Sequence, residues 1–204
     1  MTKIDKAFLF MDLPQHISNE AFGRAGLYEL YARLLLNEVD VEMLSLFHGP
    51  EWSICFRELG ISIPPENAIS IETLAVDYCN IFIGPKDFCP PYQSVWEAGH
   101  LQSEVVASMN DYLEVVSPVT TQNIKDHAGL QFEMMSQILR YESMTDAEPS
   151  TLSEAFFHEH IRWTERMFSL GTELAETEFY RGFLASAEVF IDSEKSNYQL
   201  GLTD

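Results

Sequence analysis

Asp126 and His127 stand side by side near the head of "NIKDHAGLQFEMM", residues 123 to 135. A carboxylate at a helix start is favoured by the helix dipole alone, so Asp126 by itself says little. The adjoining imidazole adds a titratable donor, and the two together set an anionic acceptor beside a hydrogen-bonding group at one edge. That arrangement suits guanidinium groups on a peptide, because charge-assisted hydrogen bonds are among the stronger polar contacts. A second unusual stretch is "IFIGPKDFCPPYQSVW", residues 81 to 96, which crowds a Gly-Pro, a Pro-Pro and four aromatic side chains together. Gly84 with Pro85 and Pro90 with Pro91 restrict this loop before any ligand arrives, which lowers the ordering cost of binding.

Other chemistries find less support. Glu97 and His100 make one ExxH pair, whereas a carboxylate-bridged di-iron bundle needs two such pairs and two further glutamates. His158 and His160 in "HEH" would point about 200° apart on a helix. His160 shares a stripe with Phe156 and Trp163 and reads as a packed core histidine. There is no GxxxxGK[ST] or GxGxxG phosphate cradle and no GxSxG elbow. No catalytic residue, no metal and no required cofactor is therefore expected. Cys55, Cys79 and Cys89 form no CxxC pair and leave an odd thiol, which fits a reducing compartment and small buried hydrophobes.

The balance of 32 acidic against 12 basic residues gives a formal charge of −20. Such a field repels nucleic acid phosphates and anionic membrane surfaces and attracts cations and basic peptides. The first eighteen residues, "MTKIDKAFLFMDLPQHIS", hold one short apolar run, Ala7 to Met11, too brief for a secretory leader. No window approaches the ~20 apolar residues of a membrane helix. The expectation is a soluble cytoplasmic protein without stable membrane insertion.

These residues must be placed by helices, since apolar positions recur at three- and four-residue spacing almost throughout and no alternating strand pattern emerges. The spacing predicts an all-α, single-domain helical bundle over residues 1–204, with helices at about 19–37, 41–47, 51–59, 66–83, 94–115 and 124–144. Thr151 and Glu154 have capping-box spacing and open a further helix carrying Leu152, Phe156, Trp163, Met167 and Leu170 on one face. A last helix covers about 172–193. The segment "TDAEPST", residues 145–151, is the expected hinge, compatible with exchange of C-terminal helices between two chains.

The stretch "YCNIFIGPKDFCPPYQSVW" resembles the YxxLFxGP…PPWxSVY signature of the TorD/DmsD/NarJ family of chaperones for molybdenum oxidoreductases. "KDHAGLQFEMM" is similar to that family's PDHxxxELxFM segment. "RAGLYELYARLL", "FFHEHIRWTERMF" and "FYRGFLASAEVFI" resemble its opening and C-terminal helices, so the likeness runs from about Arg24 to Ile191. Two departures stand out: Lys125 occupies the motif's proline position, and Tyr92 the position of its usual tryptophan.

The resemblance implies an all-helical chaperone without catalytic activity, closer to the TorD/DmsD branch. Such a protein binds the twin-arginine signal peptide of the apo catalytic subunit of a molybdoenzyme and holds it for cofactor insertion before export. By position it assigns peptide binding to Asp126 and His127, to Tyr78, Ile81, Phe82 and Tyr92 around the proline loop, and to Tyr31 of the first helix. It leaves two alternatives open. One is a NarJ-like assembly factor for a non-exported client; the other is a weak GTP-binding or hydrolysing protein, against which the missing phosphate loop counts. Monomer and domain-swapped dimer both remain compatible.

Overall fold

The computed structural model describes residues 19–101, 104–116, 125–144 and 151–200. Within them the chain is helical, with α1 Asn19–Leu36, α2 Val41–Phe47, α3 Pro50–Glu58, α4 Ala68–Phe82, α5 Gln93–Ala98, α6 Val105–Val116, α7 Ala128–Met144, α8 Thr151–Phe156, α9 Thr164–Leu174 and α10 Glu178–Leu200. A π-helical turn, Phe157–Ile161, sits between α8 and α9. The only β-type pairing among the described residues is one isolated bridge between Tyr92 and His127.

Local signals account for most of the boundaries. Asp40 caps α2 by accepting the Met43 amide at 2.8 Å, and Asn67 caps α4 by accepting that of Ser70 at 2.9 Å. Pro50 occupies the first turn of α3, where a missing amide proton costs nothing. The helix expected over 94–115 is divided: α5 stops at Gly99, whose φ of 77° only glycine adopts without strain, and α6 begins at Val105. The helix expected from 124 begins at Ala128, because residues 126 and 127 are used in a loop pairing. The last helix begins at Glu178, after Ala175 turns extended with ψ 126°. Gly84 follows the end of α4 without a positive φ, its amide bonded to Cys79 O at 2.8 Å. The expected hinge at 145–151 lies, except for Thr151, outside the described residues.

The broadest helix pairing is α1 on α7, followed by α9 on α10. The first needs Gly129, where an added Cβ would stand 2.5 Å from Leu36 Cγ and 3.2 Å from Ala32 O. Around this contact an aromatic cluster joins four helices: Tyr28 lies 5.2 Å from Phe132 and 4.8 Å from Phe190, and Phe132 lies 5.7 Å from Phe168. Edge-on geometry dominates there, as ring quadrupoles favour. A second cluster of Phe47, Phe56 and Phe179 ties α2 and α3 to α10.

Two buried acids lock the α10 helix in place. Asp77 of α4 accepts hydrogen bonds from the amides of Glu176 and Thr177 at 3.0 and 2.8 Å and from Thr177 Oγ1 at 2.6 Å. A negative charge at that helix start is also favoured by the dipole. Farther along, Glu194 is 1% exposed and receives Arg24 in a two-pronged bond of 2.7 and 2.8 Å, together with Tyr28 Oη at 3.0 Å. Removing one partner of such a pair leaves the other charge uncompensated. Glu194→Ala is expected to cost about 3 kcal/mol of unfolding free energy in urea denaturation.

Candidate functional site

The two singled-out stretches meet. After α4 the chain is drawn back by Cys89, whose amide bonds Ile81 O at 2.6 Å and whose thiol donates to Met167 O at 3.1 Å. Residues 91–94 then run antiparallel to residues 126–128. The Ala128 amide donates to Pro91 O at 2.8 Å, the Gln93 amide to Asp126 O at 3.0 Å, and Tyr92 bridges His127. The rings of Tyr92 and His127 lie 5.1 Å apart and nearly perpendicular. Trp96 of α5 closes the turn by donating to Pro90 O at 2.8 Å.

Asp126 is 0% exposed. Its Oδ2 accepts the Ser94 amide at 2.9 Å, so this carboxylate serves the first turn of α5 instead of its own helix. Its Oδ1 and the Ser94 Oγ are buried without a protein partner. His127 is 7% exposed and its Nδ1 accepts the Gly129 amide at 3.0 Å, which leaves the ring proton on Nε2. Burial lowers the His127 pKa to about 4, with the Asp126 charge opposing that shift in part. Near neutral pH the ring is thus a neutral donor and acceptor, and the expectation of a group titrating there is corrected by its desolvation.

Of the other residues assigned by resemblance, Tyr92 is half-buried at this edge. Tyr78 is nearly buried, its hydroxyl donating to Leu35 O at 2.8 Å. Tyr31, Ile81 and Phe82 are interior packing groups, and the Tyr31 hydroxyl donates to Ser186 Oγ at 3.3 Å. Pro85 is exposed, Gly84 and Pro90 are half-buried, and Pro91 is buried. Lys125, at the motif's proline position, donates to Asn110 Oδ1 and so ties the loop to α6.

Behind the edge lies a polar network that sequence reading missed. Gln93 Oε1 accepts from Gln131 Nε2 at 2.6 Å and from His160 Nδ1 at 3.0 Å, while Gln93 Nε2 donates to Glu159 O at 2.6 Å. Trp163 Nε1 donates to Gln131 Oε1 at 2.9 Å, and Ser108 Oγ lies 3.1 Å from His160 Nε2 and bonds Glu159. The π-helical turn brings His160 and Trp163 to this network together. One signal was available: Gln131 falls on the same stripe as Ala128, Met135 and Ile138. His160 is fully buried as expected, whereas His158 and Glu159 face outward. Among the described residues no group of three or more metal-ligating side chains is present, and no helix is long and apolar enough to cross a membrane.

Burial also lowers His160 to about 4, against the opposing charges of Glu159 and Asp126. Both histidines therefore bind fewer protons folded than unfolded between pH 4 and 6.5. Stability should rise with pH across that window, by up to about 1.4 kcal/mol per unit for each histidine. Urea titrations of His127→Gln at pH 4.5 and 6.5 are expected to show a shallower dependence than the unaltered protein.

Residues 56–169, more than half of the chain, match the family model described as nitrate reductase delta subunit. The fold is similar to the crystal structure of a candidate redox enzyme maturation protein from Archaeoglobus fulgidus. That similarity has a TM-score of 0.52 and 18% sequence identity, and covers 90% of this chain and 98% of the other. No curated protein sequence matches the chain.

Proposed function

We infer that this chain, which belongs to the nitrate reductase delta subunit family of maturation chaperones and not to a family of catalysts, holds the twin-arginine signal peptide of a molybdenum oxidoreductase catalytic subunit. The client remains in the cytoplasm, bound in its apo form, until its cofactor is inserted. The observation that supports this reading best is the antiparallel seating of residues 91–94 on 126–128, which makes one edge from the stiff aromatic loop and the Asp-His pair.

A twin-arginine leader joins two cations to a modestly apolar segment, so its receptor needs an anionic acceptor beside preformed apolar surface. Tyr92 and the edge of His127 supply the surface with little freedom left to lose. Asp126 lies directly behind them with Oδ1 unbonded, an acceptor that a guanidinium reaching past Tyr92 completes. The formal charge of −20 adds attraction for a basic peptide at a distance.

A second reading is an assembly factor for a non-exported client, whose segment would carry no arginine pair; the family's description as nitrate reductase delta subunit is compatible with it. Calorimetric titration with a leader peptide and with the same peptide bearing glutamines for both arginines separates the two. The first reading expects the altered peptide to bind at least about tenfold more weakly, and equal affinity would favour the second. Within the first reading Asp126→Asn keeps the bond to Ser94 while removing the charge, and is expected to weaken leader binding by at least about 1 kcal/mol. Unchanged affinity with an intact fold would exclude Asp126 from the site.

A further inference from the structure

Helix α4 has apolar residues on both sides. Leu74, Tyr78, Ile81 and Phe82 face the interior, yet Ile69, Val76 and Ile83 stand out at 77%, 53% and 62% exposure. Ile69 and Val76 are seven residues apart, a spacing that keeps them within about 20° of one another on a helix, and Ile83 follows seven residues on as the residue that ends α4. Across its fifteen residues α4 carries only two charged side chains, Glu72 and the buried Asp77. Surface helices ordinarily set charge against water on their outer side; here Glu72, Thr73 and Asn80 are the exposed polar side chains set among the three apolar ones, so the outward face is mixed apolar and acidic.

A groove runs beside this face. It consists of two open depressions of about 450 and 290 Å³ that share Thr73 and Thr177 and lie between α4 and the start of α10. Ile63, Pro64, Val76 and Phe179 contribute apolar surface, while Glu72, Glu176 and Glu178 line its borders. No lysine or arginine lines either depression. The Tyr92–His127 edge lies elsewhere: Tyr78, whose hydroxyl is close enough to Tyr92 to feel its charge and which donates to Leu35 O, projects from the side of α4 opposite Ile69.

We propose that the outer face of α4 and its groove dock an amphipathic helix of a partner protein that carries lysine or arginine beside its apolar stripe. Seven-residue spacing matches a helix, and the stripe from Ile69 to Ile83 extends about 21 Å, enough for four turns of a partner. Glu178 is ion-paired with Arg181 at 3.5 Å, so Glu72 and Glu176 are the border acids that select the occupant's charge. A second copy of this chain would bring another acidic border and another −20 to the same groove, whereas a basic helix is attracted by the border instead of repelled. This surface is a second contact beyond the leader edge and does not depend on it.

The test uses a fluorescein-labelled twenty-residue peptide of leucine, alanine and lysine with leucines at three- and four-residue spacing, at 0.15 M salt. The control is a peptide of the same composition with leucines alternating. Anisotropy titration is expected to show saturable binding of the first and at least about tenfold weaker binding of the second. Val76→Glu and Ile69→Gln, both at exposed positions, are each expected to weaken the helical peptide about tenfold while leaving the affinity of a twin-arginine leader unchanged. Hydrogen exchange of the unaltered protein should slow along residues 68–83 on binding. Equal binding of the two peptides, equal binding by the variants, or protection confined to other segments would overturn the proposal. Loss of leader affinity in the α4 variants would also overturn it by merging the two surfaces. Failure of the leader to bind the unaltered protein would instead count against the proposed function alone.

Discussion

The bond from the Ser94 amide to the Asp126 carboxylate is the constraint on which the candidate site depends. It fastens the start of α5 to the loop before α7, and the neighbouring backbone bonds at Pro91 and Gln93 align one segment with the other. Without it, the proline-rich turn and the Asp-His pair would be joined by two main-chain bonds, the Tyr92–His127 ring contact and the Gln93–Gln131 bond, with no charged group holding the start of α5. The bond also buries the charge, since a carboxylate that caps a helix from inside the protein cannot also point into solvent. The two oxygens are thus placed differently, with Oδ2 held and Oδ1 left unbonded, and the proposed recognition role falls to Oδ1.

The polar network behind Asp126 explains why this part of the interior tolerates so many hydrogen-bonding groups. Gln93, Gln131, His160 and Trp163 satisfy one another across α5, α7, the π-helical turn and the residue before α9. A buried network stabilises only when its members are paired, and a vacancy in it costs more than an apolar substitute would. Here the pairing also fixes relative orientation, because Gln93 bonds Gln131 of α7 and both Glu159 and His160 of the π-helical turn at once. The π-helical turn matters for the same reason: its extra residue per turn changes which side chains face inward from Phe157 onward.

Much of this was legible in the sequence, and the failures have definite causes. The all-α class followed from three- and four-residue spacing, and the expected starts of α2, α3 and α4 at about 41, 51 and 66 lie within two residues of the observed ones. The break at Gly99 was missed because apolar periodicity continues through "SVWEAGHLQSEVV" while glycine permits the left-handed turn that ends α5. Asp126 was read as a first-turn acid of its own helix, since a sequence shows the nearest backbone and not the one packed against it. Tyr31, Ile81 and Phe82 belong to motifs, and a motif does not reveal whether its aromatic residues line a recess or fill a core. Gln131 sat in plain view on an apolar stripe, and a buried amide there implied partners from other helices.

Electrostatics divides the work between distance and contact. A formal charge of −20 acts over roughly the 8 Å screening length of physiological salt and draws a basic segment in from any side. It cannot choose where that segment settles, because Glu and Asp residues are spread over the whole surface. Selection has to come from places where charge is sparse and geometry fixed. The Tyr92–His127 edge, as proposed for the leader, is one, with a ring kept neutral by burial so that it adds no competing cation beside Asp126. The outer face of α4 is another, uncharged over most of its length and bordered by acid on the groove side. A partner bearing both an arginine pair and a basic apolar helix would be attracted by the same field and sorted by these two surfaces, each reading a different part of it.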